Sequence, residues 1–131
     1  MGGRDENTVS DVLIKNSSVT NSDNGIRIKT VSGATGKVSG VTCSSITLSN
    51  IHKHGIVIEQ DYENGSPTGK PTNGVPITDL TVENVRGTVK SSADNVYILC
   101  AACSAWTWKD VAVTGGRKTA KCQGVPAGAS C

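Results

Sequence analysis

A chain of 131 residues fits a single domain with room for a usable core. Thirteen basic residues against eleven acidic ones leave a net charge of +2, too weak and too evenly spread for a nucleic-acid or membrane-surface protein. Phe is absent, Trp and Tyr occur twice each, and no window has the Leu, Ala, Glu and Lys spacing of a helical bundle. The many β-branched residues, broken by Gly, Asn and Ser, predict an all-β protein with many turns.

Met1-Gly2-Gly3-Arg4-Asp5 carries no apolar core of the kind a secretory leader needs, and no apolar run nears the roughly 18 residues that span a bilayer. The chain is therefore expected to follow any signal peptide or to be cut from a longer protein. The first predicted strand starts at Asp11-Val12-Leu13-Ile14, and a second type follows at Gly25-Ile26-Arg27-Ile28-Lys29. The first type returns at Gly40-Val41-Thr42-Cys43 and the second at Gly55-Ile56-Val57-Ile58-Glu59. After an insertion from Gln60 to Gly74, both return at Asp79-Leu80-Thr81-Val82 and Asn95-Val96-Tyr97-Ile98-Leu99, and Asp110-Val111-Ala112-Val113 closes the first series. The starts of that series lie 29, 39 and 31 residues apart, and those of the second 30 and 40.

Two series advancing in step are the signature of stacked coils. Alternation puts Ile26 and Ile28 inside, with Arg27 and Lys29 outside. Stacking sets Ile26 against Ile56 and Val96, and Ile28 against Ile58 and Ile98. Asn16, Asn24, Asn50 and Asn84 suit the corners. A parallel β-helix is the expected architecture, and a β-sandwich is the alternative, though it would want a turn every 8–12 residues. Trp106-Thr107-Trp108 and the irregular tail from 115 to 131 form a candidate cap at one end, with none visible at the other. The chain thus reads as about the last three coils of a longer solenoid, a partial domain over residues 1–131.

Of the five cysteines, Cys100 could pair with Cys103 and Cys122 with Cys131, each closing a short loop. Sequons at Asn16 and Asn64 fit the same secreted, extracellular route. Cys43 is left over and reads as a buried thiol acting as a small apolar residue. A zinc site at Cys100-Ala101-Ala102-Cys103 is the poorer alternative, because the second pair does not repeat its spacing. His52 and His54 lack a third ligand, so no metal or cofactor is expected.

Arg27 and Lys29, at i and i+2 on a strand, present two cations to one groove. An ordinary solvated strand face, with Lys29 paired to Glu59, is the alternative. The segment Ser22-Asp23-Asn24-Gly25-Ile26-Arg27-Ile28-Lys29-Thr30 resembles the Arg-Ile-Lys motif of the polygalacturonases, glycoside hydrolase family 28. The similarity extends through Gly55 to Gly69, Asn73 to Thr78 and Asn95 to Cys100, in a run typical of the fungal endo-acting members. The resemblance implies a right-handed parallel β-helix and hydrolysis of α-1,4-linked galacturonate in pectin by inversion. It also implies that Arg27 and Lys29 hold a substrate carboxylate, that Tyr62 contributes to binding, and that the complete protein is a monomer.

Hydrolysis with inversion needs one acid to protonate the leaving oxygen and one carboxylate to activate water. In this family these belong to an Asn-Thr-Asp segment and an Asp-Asp pair, near a Gly-His-Gly histidine, and none of the three occurs here. Asp61 and Glu63 are tempting substitutes beside Tyr62 but read as part of a solvated loop. Trp106 and Trp108 could stack on sugars, though end-capping fits their place better. The expected function is thus the substrate-carboxylate-binding portion of a polygalacturonase without its catalytic acids. A non-catalytic pectin-binding or interaction fragment is the second reading, and a purely structural solenoid the third.

Overall fold

Short runs of Val, Ile and Thr that alternate with polar residues favour strands, and polar residues that tolerate a left-handed backbone turn the chain between them. The computed structural model describes residues 6–63, 66–119 and 121–131. They form β1 (Glu6–Thr20), β2 (Asn24–Val31), β3 (Thr35–Ile51), β4 (His54–Glu63), β5 (Ser66–Pro67), β6 (Ile77–Thr78), β7 (Thr81–Val89), β8 (Asp94–Leu99), β9 (Cys103–Ser104) and β10 (Thr107–Thr114). No helix long and apolar enough to cross a membrane occurs among them.

Apart from β5, which pairs antiparallel with the end of β4, the strands stack in parallel as successive coils of a right-handed β-helix. One sheet layers β1, β3, β7 and β10, with β6 and β9 continuing it, and the other layers β2, β4 and β8. Ile26 lies over Ile56 and Val96, and Ile28 over Ile58 and Ile98, as the repeat predicts. Between the sheets a continuous core forms from Ile46, Leu48, Ile51, Ile56, Ile58, Val82, Val85 and Ile98. Cys43 stands in one of its columns, between Ile14 and Val82, and is buried with its thiol free. Burial raises the pKa of that thiol, as expected for a group kept neutral among apolar neighbours.

β1 and β3 are longer than the short strands expected because they bend without breaking. Asp11, Gly40, Asp79 and Ala105 all have positive φ, as do Asn16, Ser45, Asn84 and Asp110 one column further on. The fourth repeat therefore differs from the sequence reading. Val82 pairs with Trp108 and Val85 with Val111, a step of 26 residues, so Asp110 belongs beneath Asn84 rather than Asp79. Both corner columns favour the same residue types, so local preference alone does not tell them apart. Asn24 likewise is no corner: it lies in β2, and the bend belongs to Asn21 (φ 54°), whose amide oxygen accepts a hydrogen bond from Asn50.

Cys100–Cys103 and Cys122–Cys131 are disulfides. The tail is less irregular than its composition suggests. It adds single parallel bridges, Asp94 to Arg117 and Leu99 to Gln123, and so lays a partial fourth layer on the second sheet. Trp106 is buried and donates its indole N–H to the Ile77 carbonyl at 3.0 Å, while Trp108 stacks on it with ring centroids 6.3 Å apart. Asn16 is exposed at its corner, and Asn64 falls outside the described residues.

Candidate substrate-binding site

The site is built on the outer face of the second sheet. Alternation along β2 buries Ile26 and turns Arg27 outward, with Lys29 following on the same side. Gly25 and Gly55 let both strands start close to their neighbours. A Cβ on Gly25 would stand 2.4 Å from the Gly55 carbonyl oxygen, and one on Gly55 would stand 2.6 Å from that of Asn95. Those contacts are closer than real side chains make, so glycine sets the height at which the cationic strand leaves its corner.

β4 carries the second half of the site, and a bulge shapes it. Lys29 pairs with Glu59 but Val31 pairs with Tyr62, so three steps along β4 answer two along β2. The shift buries Glu59, Gln60 and Asp61 in succession and brings Tyr62 up beside the cations. Arg27 donates from Nη2 to the Tyr62 hydroxyl at 2.5 Å, with its guanidinium carbon 5.1 Å from the ring centroid. The Lys29 ammonium stands 4.6 Å from the same centroid. The ring thus holds both cations to one side of the groove.

Lys29 shares a register position with Glu59, while Asp23 and Asp94 form ion pairs elsewhere on the molecule. Arg can grip a carboxylate through two parallel hydrogen bonds, while Lys adds a compact charge.

Asp61 corrects the sequence reading. Instead of belonging to a solvated loop it is fully buried at the end of β4, where it accepts a hydrogen bond from the Gly69 amide at 2.8 Å. Glu63, two residues on, is exposed. Glu59 is also buried, and its pKa is raised to about 7 by burial first, then by the charge of Asp61 and the hydrogen bond between them, against the pull of Arg27 and Lys29. The sequence did hold a signal for this pair: acids at i and i+2 on a strand share a face. Gln60, between them, turns the other way and accepts from the amides of Ala101 and Ala102 while donating to the carbonyls of Val75 and Ala102.

Further along the same sheet, His54 stacks on Tyr97 with centroids 5.6 Å apart. Its ring nitrogens face Asn24 at 3.1 Å and Asp94 at 3.5 Å. Burial lowers its pKa, helped by Lys53, Arg27 and Arg117 and opposed by Asp94. No group of three or more metal-ligating side chains occurs among the described residues. Trp108 lies in β10 of the other sheet, with Trp106 just before it, and neither takes part in this surface.

The family model described as glycosyl hydrolases family 28 matches residues 1–131, the whole chain. The chain belongs to glycoside hydrolase family 28. This family-28 chain is 67% identical over its full length to an endo-polygalacturonase of Sclerotinia sclerotiorum, of which it covers 34%. It is 65% identical over 98% of its length to endopolygalacturonase 1 of Colletotrichum lindemuthianum, covering 35% of that protein. A polygalacturonase of Penicillium digitatum is also 65% identical, with 36% of its length covered. The chain thus spans about a third of the length of the curated relatives it matches.

Proposed function

We propose that this chain is the C-terminal, substrate-holding portion of a secreted endopolygalacturonase that hydrolyses α-1,4-galacturonosyl linkages of pectin by inversion. Residues 1–131 act as one partial β-helix domain, tied at its tail by two disulfides that suit an extracellular route. The observation that carries this reading is the convergence of Arg27 and Lys29 on the Tyr62 ring, which presents two cations on one face. Polygalacturonate bears about one carboxylate per sugar, so one residue of the polymer docks its carboxylate on Arg27 and Lys29 and its ring beside Tyr62. This positions the adjoining glycosidic bond for acids that the chain does not supply. Binding energy from such a remote contact serves to orient the reacting bond. The second reading, a pectin-binding protein that works through the clamp alone, rests on the same geometry and differs in lacking turnover.

Two measurements test this. The 131-residue chain should release no reducing ends from polygalacturonate, and turnover by clean material would refute the division of labour proposed. In the complete gene product, Arg27→Ala with Lys29→Ala should cut kcat/KM on polygalacturonate at least about 100-fold, the loss of two charge-assisted contacts. An unchanged profile would remove the clamp. A complete product that binds polygalacturonate without cleaving it would favour the second reading.

A further inference from the structure

Beneath the clamp lie two buried acids that carboxylate binding by Arg27 and Lys29 does not itself require. Glu59 is 3% exposed and Asp61 fully buried, and one oxygen of each, Glu59 Oε2 and Asp61 Oδ1, has no hydrogen-bond partner. Two bare carboxylates side by side in that position would repel each other and leave lone pairs unanswered, at high cost in a desolvated site. One proton resolves this, because a protonated Glu59 donates to Asp61. A bridging cation fits poorly: no third metal-ligating group stands near enough, and Arg27 and Lys29 already face the pair.

We propose that a proton held by Glu59 against Asp61 sets the strength of the clamp, so that losing it turns the pair into a competitor for Arg27 and Lys29 and releases the acidic ligand. This deepens the substrate-carboxylate reading above and rests on it. With the proton in place the pair carries one negative charge, and the two cations opposite it face the groove with one net positive charge. When the proton leaves to solvent, the pair carries two, cancels the cations, and repels an incoming carboxylate. The groups around the pair come from every neighbouring element. Arg27 and Lys29 face it from β2 and Tyr97 from β8, while the Gly69 amide reaches Asp61 from the 68–76 loop. The Tyr97 hydroxyl stays neutral through this range, its pKa pushed up by burial, Glu59, Asp61 and Asp94. His54, beyond Arg27, titrates below its ordinary 6.5 and so at the acid side of the change. Glu59 titrates near 7, so the switch falls between about pH 6 and about pH 8.

The test is the pH dependence of Kd for a thio-linked tetragalacturonate, whose sulfur bridges resist hydrolysis, measured on the complete gene product. The unmodified protein should lose about five- to tenfold in affinity between about pH 6 and about pH 8, the effect of one added charge several ångströms from the cations. Glu59→Gln keeps the shape, still donates to Asp61, and fixes the pair at one negative charge, so its affinity should stay flat at the acid-form value. Asp61→Asn removes the neighbouring charge and should move the midpoint of the change to lower pH. A fully methyl-esterified ligand should show no dependence in any of the three. If the Glu59→Gln profile follows that of the unmodified protein while Arg27→Ala still abolishes binding, the proton switch is wrong and the clamp stands. Absence of binding at every pH would overturn the clamp and the switch together.

Discussion

Gln60 is the residue on which the site's support converges. Fully buried, it bonds to the carbonyls of Val75 and Ala102 and to the amides of Ala101 and Ala102. It thereby ties β4 to the 68–76 loop and to the turn closed by Cys100–Cys103. Truncation leaves buried donors and acceptors without partners, which costs more than the bonds themselves contribute. Gln60→Ala is expected to destabilise the fold by about 3 kcal/mol, read as a lowered midpoint in urea. A shift below about 0.5 kcal/mol would show that water replaces the amide without loss. Composition alone reveals none of this. A glutamine beside two acids before a Gly/Pro-rich stretch looks like a loop residue, and only the bulge in β4 turns it inward.

At the scale of the element, the corners decide how the coils stack. Left-handed residues recur in columns, so each strand turns at the same height as the one above it. Gly55, the second residue of β4, sits where a Cβ would meet the Asn95 carbonyl oxygen at 2.6 Å and Val113 at the same distance. Because the obstacle includes backbone, relief requires moving a strand rather than a rotamer. Gly55→Ala should therefore cost about 2–3 kcal/mol and lower the Tm by several degrees, with Arg27 and Lys29 displaced through β2. A neutral substitution would mean that the two sheets slide apart easily. The two inward columns of the second sheet were legible from spacing alone, as Ile26, Ile56 and Val96 show. The fourth repeat was not, because Asp79 and Asp110 carry the same local preference and only pairing tells their columns apart.

Across the whole molecule, the two ends differ sharply. The C-terminal end is covered by Trp106, Trp108 and the disulfide-tied tail. At the other, the edge of β1 from Ser10 to Thr20 that faces away from β3 has no strand partner among the described residues. Leu13 is 60% exposed and Ile14 45% exposed. An unprotected edge beside apolar side chains is a template for association. The 131-residue chain should therefore sediment with concentration-dependent mass and melt over a broad range. Leu13→Lys with Ile14→Thr should reduce that association. A monomeric chain with a sharp, cooperative transition would contradict this expectation.

The sequence by itself determined the coil: period-two alternation chooses the buried face, and a repeat of near-constant step allows each coil to rest on the last. It also placed Arg27 and Lys29 together outside, since residues two apart on a strand share a face whatever surrounds them. Tertiary structure alone decided what stands around them. The bulge that carries Tyr62 up beside both cations, and the burial that sets Glu59 against Asp61, depend on how β4 meets β2 and the loop beyond it. Local preferences are additive and can be read along the chain. Desolvation and close charge pairing arise only when distant segments pack.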